Sequence, residues 1–288
     1  MEALPEDILV LQKEAVIHWA PCGEGRIPIR QWENAGAEKV VLLHGGSGSW
    51  LHWTRNIPAL REQFDVYAID LPGLGDASMC EVESDAVSAA RATRVALEQL
   101  FDSAFHVVAF SWGCTVTAML MKDMATLLKS VMLTGPAAVG DLPRRLTMKP
   151  LIKRVSGMSR DEVLAVQKEN LARLMIYQRS RIDDTAVAIQ QSNTSRARFR
   201  SPPYARGTLV IDGVRGTKTP LFVIYGDHDA PAYPDLEARR EVFQSARPDV
   251  RFELVADAGH WLQYEMPDVF NQKCIEWLNN PVSQNPRR

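Results

Sequence analysis

The chain has 288 residues, enough for one large α/β domain with an insertion or for two smaller domains, each with a sizeable core. Its 33 basic and 35 acidic side chains give a formal charge of −2 without long runs of one sign, which argues against a nucleic-acid partner. Four cysteines, far apart and without a Cys-x-x-Cys pair, exclude a disulfide-stapled fold and fit a reducing compartment.

The amino terminus does not resemble a targeting segment. Residues 1 to 7 are acidic and interrupted by a proline, unlike the basic and then apolar order of a secretory signal. No apolar run approaches the length of a membrane span. We therefore expect a soluble, cytoplasmic protein without a membrane partner.

The first predicted elements are two short segments of mixed polarity, residues 8 to 20 and 26 to 33, which predict an antiparallel hairpin. From residue 39 onward the pattern changes to continuous apolar runs, typical of strands buried on both faces. The predicted strands are residues 39–43, 65–69, 106–110, 130–133, 221–225 and 251–255.

Helical patterns separate most of these runs. Apolar residues three and four positions apart predict helices over residues 51–63, 84–102 and 113–127, and a helix over about residues 266–279 completes the pattern. The alternation of strands and helices predicts a parallel sheet covered on both sides. The interval from about residue 140 to 218 breaks this rhythm, because it has amphipathic stretches and no strong strand, and it predicts a helical insertion after the sixth strand.

Ser111 stands where the strand at 106–110 stops and a helical pattern begins. A sharp strand-to-helix turn exposes a serine Oγ when the residues two before and two after it are small, because neighbouring backbone crowds both positions. Here those residues are Ala109 and Gly113, so the usual Gly-x-Ser-x-Gly reads Ala-x-Ser-x-Gly. The sequence therefore predicts that Ser111 is a nucleophile.

A serine nucleophile needs a base and a carboxylate that orients the base. His260 follows the strand at 251–255 in a glycine turn, at the sheet edge where catalytic side chains lie. Asp229 follows the strand at 221–225. The order Ser, Asp, His along the chain is the one found where the serine lies in a sharp strand-to-helix turn. Asp227 competes with Asp229 for the orienting role; the motif position favours Asp229.

The run from His44 to Ser49 supplies the expected oxyanion donors, because glycines after a buried strand let backbone N–H groups point into a site. We expect these donors to be the N–H groups of Gly46 and Trp112. The run lacks both phosphate-binding glycine fingerprints, and we expect His44 to brace the loop. No His, Cys, Asp or Glu grouping has ligand spacing, so neither a metal nor another cofactor is predicted.

With these motifs the whole chain resembles the α/β-hydrolase superfamily. The resemblance implies an eight-stranded, mostly parallel sheet flanked by helices, with strand two antiparallel and a helical cap inserted after strand six. It divides the chain into a core of residues 1–137 and 217–288 and a cap of residues 138–216. The motifs that carry it are Ser111, Asp229, His260, the His44-Gly45-Gly46 loop and the Asp70-Leu71-Pro72-Gly73 turn.

Two segments, residues 259–265 and 174–182, look like the meta-cleavage-product hydrolases, which cut carbon–carbon bonds in vinylogous diketones. Those enzymes usually carry an Arg-Trp pair in the cap for the dienoate, where this chain has Gln190-Gln191. We therefore favour a small to medium carboxylic ester, thioester or lactone as the substrate, with the diketone as the alternative. The same resemblance makes a homodimer a reasonable expectation.

Aromatic and apolar residues near strand ends and in the cap predict an apolar substrate pocket. A basic run contains Arg196, Arg198 and Arg200, which can replace the missing cap arginine only if the cap turns them inward; such runs more often form a solvated face. The expected substrate contacts are Gly45, His52, Trp53, Met175, Tyr177 and Trp261.

Two alternative functions use the same residues. A small-molecule binding protein can keep this fold and pocket without turnover, since fold does not fix function. A cofactor-free perhydrolase shares the same three side chains with an esterase. Serine rather than aspartate at position 111 disfavours the dehalogenase and epoxide hydrolase chemistries that the resemblance associates with aspartate.

Overall fold

The computed structural model describes residues 4–140, 142, 148–232 and 234–282. The predicted core and cap ranges therefore include positions that lie outside the described residues, namely 1–3, 141, 143–147, 233 and 283–288. Among the described residues, no helix is long and apolar enough to cross a membrane.

Eight strands form one sheet in the order β1-β2-β4-β3-β5-β6-β7-β8. β2 is antiparallel to both its neighbours, and every other pair is parallel. The predicted fold class is confirmed, and β4, β5 and β7 are buried along their whole length, as continuous apolar runs require. The strands are β1 Val16–Cys22, β2 Gly25–Trp32, β3 Glu38–Leu43, β4 Phe64–Ile69, β5 Phe105–Phe110, β6 Leu128–Thr134, β7 Leu221–Gly226 and β8 Arg251–Val255.

Helices cover the sheet and fill the interval between β6 and β7. The α-helices are α1 Glu6–Lys13, α2 Ile57–Leu60, α3 Ala86–Leu100, α4 Trp112–Leu120, α5 Arg160–Leu174, α6 Asp184–Arg196, α7 Leu209–Val214, α8 Leu236–Ala246, α9 Leu262–Glu265 and α10 Pro267–Asn279. Short 3₁₀ turns occupy Trp50–Trp53, Arg179–Arg181 and Pro202–Ala205.

The prediction of extended chain from residue 8 is wrong, because residues 8 to 13 belong to α1. Acidic Glu6 and Asp7 in the first turn and Lys13 in the last complement the helix dipole, and one face of the helix is buried. The predicted helices 51–63 and 113–127 are also shorter than expected, since α2 has four residues and α4 ends at Leu120.

Side chains of the central strands alternate between two hydrophobic cores, one on each face of the sheet. Val107 and Ala109 of β5 point into one core, and Val108 and Phe110 point into the other. This alternation fixes the direction of the last residue of β5, so that Ser111 emerges at the carboxyl edge of the sheet.

Helices α5 and α6 pack against each other, whereas α7 packs against α4. A Cβ added at Gly213 of α7 would lie 2.2 Å from the carbonyl oxygen of Ala118, so glycine permits that close approach. The helical insertion expected after strand six is therefore present in the described residues, and its last helix returns to cover the sheet.

Candidate active site

Ser111 forms the sharp turn between β5 and α4. Its φ of 49° lies in the left-handed region, which costs a non-glycine residue about 1–3 kcal/mol. Neighbouring backbone explains the small flanking residues, because a Cβ at Gly113 would lie 2.5 Å from the carbonyl oxygen of Leu43 and Ala109 is fully buried. The turn holds the Ser111 side chain at the edge of a cavity.

Three side chains from three separate loops form a hydrogen-bonded series. With His260 protonated at Nδ1, the ring donates to Asp229 Oδ2 at 2.7 Å and its Nε2 accepts from Ser111 Oγ at 3.0 Å. Asp229 and His260 are only 1% and 5% exposed. This geometry allows the imidazole to take the serine proton while the carboxylate stabilises the resulting imidazolium.

Asp227, the rival of Asp229, does not contact His260. Its Oδ1 lies 2.6 Å from Nδ1 of the neighbouring His228 and 3.4 Å from the backbone N–H of Ala258. Asp229 instead projects inward and lines the cavity. The structure thus separates two carboxylates that spacing arguments could not.

Gly46 and Trp112 face each other beside Ser111. A Cβ built on Gly46 would lie 3.8 Å from Cβ of Trp112 and 2.2 Å from Oγ of Ser201, so glycine keeps this approach open. Trp112 is the first residue of α4, where a backbone N–H has no acceptor within the helix. The positive end of the helix dipole therefore lies next to Ser111, where it favours developing negative charge.

Two buried histidines support this loop. His44 Nδ1 donates to the Gly45 carbonyl and its Nε2 accepts from the N–H of Leu71, so it braces the loop as predicted. His52 Nδ1 accepts from the N–H of Gly45 at 3.3 Å. Burial lowers the pKa of both rings, and that of His52 well below its usual value, which keeps them neutral acceptors.

The turn before His260 is held by Glu265, a residue to which the sequence analysis gave no role. Its carboxylate accepts from the N–H groups of Gly259, Tyr177 and Gln178 at 2.7–3.1 Å. Burial raises the pKa of this carboxyl, and the three N–H groups oppose that shift. Glu265 thus joins the histidine turn to the segment that follows α5.

A cavity of about 610 Å³ opens above Ser111. Ser111, Asp229, His260, Gly46 and Trp112 all line it. Apolar side chains form much of the wall next to the insertion, namely Leu142, Met148, Leu151, Ile152, Leu174 and Met175. Among the described residues, no group of three or more His, Cys, Asp or Glu side chains could hold a metal ion.

Met175 lines the cavity, but the other predicted substrate contacts need correction. Trp53 and Trp261 are fully buried in the same hydrophobic core. Trp53 lies against Phe270, and Nε1 of Trp261 donates to the His52 carbonyl. The residues that lie outside the cavity lining are Gly45, His52, Trp53, Tyr177 and Trp261.

Gly45 and Tyr177 miss the cavity for different reasons. A Cβ at Gly45 would lie 2.9 Å from the Phe110 ring and 3.3 Å from Cβ of Ser111, so these two side chains, which line the cavity themselves, cover the glycine. Tyr177 is 46% exposed and stacks on His228 with ring centroids 3.7 Å apart. It therefore packs on the outer side of the histidine turn.

Gly135, which follows β6, is a further position that the sequence analysis missed. It has a φ of 56°, and an added Cβ would lie 3.0 Å from both Asp229 Oδ2 and His260 Nδ1. We expect Gly135→Ala to displace the imidazole and to lower kcat/KM by about 100-fold. The left-handed backbone should cost about 1–2 kcal/mol of the free energy of unfolding.

The matched control is Gly36→Ala, since Gly36 also has a positive φ, 82°, but a Cβ there would have nothing within 4 Å. This variant should show a similar loss of stability in urea denaturation and an unchanged kcat/KM. Equal activity losses in the two variants would show that crowding of the imidazole is not the cause.

The fold and these loops define an α/β-hydrolase, with a serine at the strand-to-helix turn. A profile of the alpha/beta hydrolase family matches residues 40–273. The chain belongs to this family.

Relatives of the chain include an enzyme component and a hydrolase. The dihydrolipoyllysine-residue acetyltransferase component of an acetoin cleaving system from Cupriavidus necator is 27% identical over 252 residues, 83% of this chain and 63% of that protein. The chain thus spans less than two thirds of that relative. A 2-hydroxy-6-oxononadienedioate/2-hydroxy-6-oxononatrienedioate hydrolase from Cupriavidus pinatubonensis is 24% identical, covering 85% of this chain and 88% of that protein.

Among solved structures, the naproxen esterase (carboxylesterase NP) from Bacillus subtilis is similar, with a TM-score of 0.73 and 18% identity. The match covers 96% of this chain and 99% of that chain. It shows that the two proteins share a fold.

Proposed function

We propose that this protein hydrolyses a small to medium carboxylic ester, thioester or lactone through Ser111. The observation that carries the proposal is the continuous series of hydrogen bonds from Ser111 Oγ through His260 to Asp229, with bonds of 3.0 and 2.7 Å at the edge of the cavity. Such a series converts an ordinary hydroxyl into a nucleophile near neutral pH.

In the first half of the reaction, Ser111 Oγ attacks the carbonyl carbon while His260 Nε2 takes its proton. The N–H groups of Gly46 and Trp112 hold the negative oxygen of the tetrahedral intermediate. The intermediate then collapses to an acyl-serine, and His260 gives its proton to the departing alcohol or thiol. Asp229 stabilises the imidazolium throughout.

In the second half, a water molecule replaces the leaving group. His260 removes a proton from it as the water oxygen attacks the acyl carbon, and the second tetrahedral intermediate again places its oxyanion on the same two N–H groups. Its collapse returns the proton to Ser111 and releases the carboxylic acid. No redox step and no further reactant are needed.

Rapid mixing with 4-nitrophenyl acetate tests this proposal. We expect a burst of 4-nitrophenol of about one equivalent per active site, followed by slower turnover, because the acyl-serine accumulates. Ser111→Ala should give no burst. Absence of a burst and of turnover in the wild-type protein would favour the alternative of a small-molecule binding protein.

Hydrolysis of a carbon–carbon bond in a vinylogous diketone is the second candidate. The similarity to the Cupriavidus pinatubonensis hydrolase favours it, whereas Gln190 lines the cavity where those enzymes are expected to carry the cap arginine. Loss of the visible absorption of a 2-hydroxy-6-oxo-dienoate measures this reaction. We expect its kcat/KM to fall below that of an activated ester; the reverse order would make the diketone the better assignment. Peroxide-dependent halide oxidation separates a perhydrolase from both.

A further inference from the structure

Arg239 is a buried cation in the wall of the cavity. It lies one turn into α8, its residue is 6% exposed, and it lines the same cavity as Ser111 and His260. The mechanism proposed above gives it no role. Burying a guanidinium away from water is costly unless an anion or several acceptors compensate for the lost hydration.

Arg239 lacks the partner that the other buried arginines have. Arg30 and Arg247 are 2% and 3% exposed, and both form ion pairs, Arg30 with Asp70 and Asp76 and Arg247 with Asp249. Within the described part of the chain, Arg239 has no carboxylate within ion-pair distance, and its Nε has no hydrogen-bond partner.

The surroundings of Arg239 supply only weak compensation. Its central guanidinium carbon lies 5.9 Å from the Tyr225 ring centroid, at the limit of a cation–π contact. The hydroxyl of Tyr225 donates to the Pro136 carbonyl at 2.6 Å, and its oxygen accepts from the Arg239 guanidinium, but a neutral acceptor does not balance the charge as a carboxylate would. Asp235, at the start of α8, lines the cavity but is not paired with the guanidinium.

The charge of the cavity wall points to an anionic ligand. Two exposed arginines, Arg154 and Arg206, line the cavity in addition to Arg239. The acidic lining residues are Asp229, which is bonded to the His260 ring, and Asp235. Cations thus outnumber uncommitted carboxylates in the described lining.

The arginines considered from the sequence do not supply this charge. Arg196 pairs with Asp76, and Arg198 donates to the Ala77 carbonyl. Neither these residues nor Arg200 is part of the cavity lining. Arg239 comes from the sheet side of the cavity, on the helix that follows the Asp229 loop.

We propose that Arg239 binds a carboxylate of the substrate, so that the enzyme prefers esters that carry a free carboxylate at a distance from the reacting carbonyl. This proposal rests on the ester hydrolysis proposed for Ser111. A guanidinium presents paired N–H donors that match a carboxylate, and a water-excluded setting strengthens that contact. The apolar wall fits a hydrocarbon segment between the carboxylate and the ester.

Two pairs of substrates test the proposal, each an acid and its methyl ester. The first pair, mono-4-nitrophenyl adipate and 4-nitrophenyl methyl adipate, places the charge on the acyl side. The second, 4-carboxyphenyl butyrate and 4-(methoxycarbonyl)phenyl butyrate, places it on the leaving group. We expect the wild-type kcat/KM to favour the acid of one pair by about 30-fold or more.

Arg239→Gln should reduce this ratio to about 1 and leave the neutral ester within about threefold of wild type. The control is Arg240→Gln, because Arg240 lies on the same helix but pairs with Glu237 and does not line the cavity. It should keep the wild-type ratio. Turnover of the neutral ester shows that a variant is folded. If Arg239→Gln does not fold, the same comparison is made with Arg239→Met.

A wild-type ratio of kcat/KM, acid over methyl ester, that is near 1 in both pairs overturns the proposal. A preference of Arg239→Gln for the acid as strong as that of wild type overturns it as well. Failure of the proposed function looks different: the wild type then hydrolyses none of the four esters, or Ser111→Ala hydrolyses them equally well. Calorimetric titration with adipate measures the contact without turnover. If none of the esters is hydrolysed through Ser111, adipate that binds to wild type and not to Arg239→Gln still supports the proposal. Equal binding to the two proteins, or no binding to either, overturns it.

Discussion

Replacement of Ser111 by alanine will lower kcat/KM for 4-nitrophenyl esters by about 10⁴-fold or more, the largest loss expected for any single side chain of this site. Among the residues that the structure describes, the Ser111 hydroxyl is the one hydrogen-bonded to His260 Nε2, and the variant loses it. Its melting temperature should stay close to that of wild type, because alanine at this φ of 49° has a backbone cost similar to that of serine. Steady-state kinetics and thermal denaturation measure both quantities.

Ser201→Ala is the matched control, since Ser201 also lines the cavity beside Gly46, whereas the His260 ring is hydrogen-bonded to Ser111 and Asp229. We expect a change in kcat/KM of less than about tenfold for this variant. If Ser111→Ala retains a rate similar to that of Ser201→Ala, the nucleophile is another group.

Replacement of Asp229 by asparagine should lower kcat by about 10³–10⁴-fold, the second largest expected effect. An amide can donate to Nδ1, which would favour the tautomer with its proton on Nε2, and that nitrogen could then no longer accept the proton of Ser111. The negative charge that stabilises the imidazolium is lost as well. A kcat effect with little change in KM is the expected pattern.

The same exchange at Asp227 provides the comparison, because Asp227 is bonded to His228 and to the Ala258 N–H rather than to His260. Asp227→Asn should change kcat by less than about tenfold. A larger loss at position 227 than at position 229 would show that the carboxylate assignment is reversed.

The sequence alone allowed the sheet to be predicted well, since its central strands are buried on both faces and read as unbroken apolar runs. The predicted strand 39–43 corresponds to β3, Glu38–Leu43, and the predicted strand 221–225 corresponds to β7, Leu221–Gly226. Ser111 and Asp229 could be chosen because each follows such a strand, and His260 because its glycine turn follows the last strand, β8, although β8 is only partly buried. Parallel strands bring their carboxyl ends to one edge, so distant segments meet there.

Substrate contacts could not be predicted in the same way. Position near a strand end does not tell whether an aromatic ring points into a cavity or into the core, and Trp53 and Trp261 point into the core. The cavity wall depends on how the insertion packs over the sheet. Gly135 and Arg239 have no local motif, because their importance comes from what lies next to them in space.

Covalent labelling reports whether the imidazole of His260 activates the hydroxyl of Ser111. Wild-type protein treated with a fluorophosphonate should gain one adduct by intact-mass spectrometry, and peptide mapping should place that adduct on Ser111. Ser111→Ala should gain none under the same conditions. An adduct on another residue, or labelling that persists in Ser111→Ala, would show that Ser111 is not the activated nucleophile.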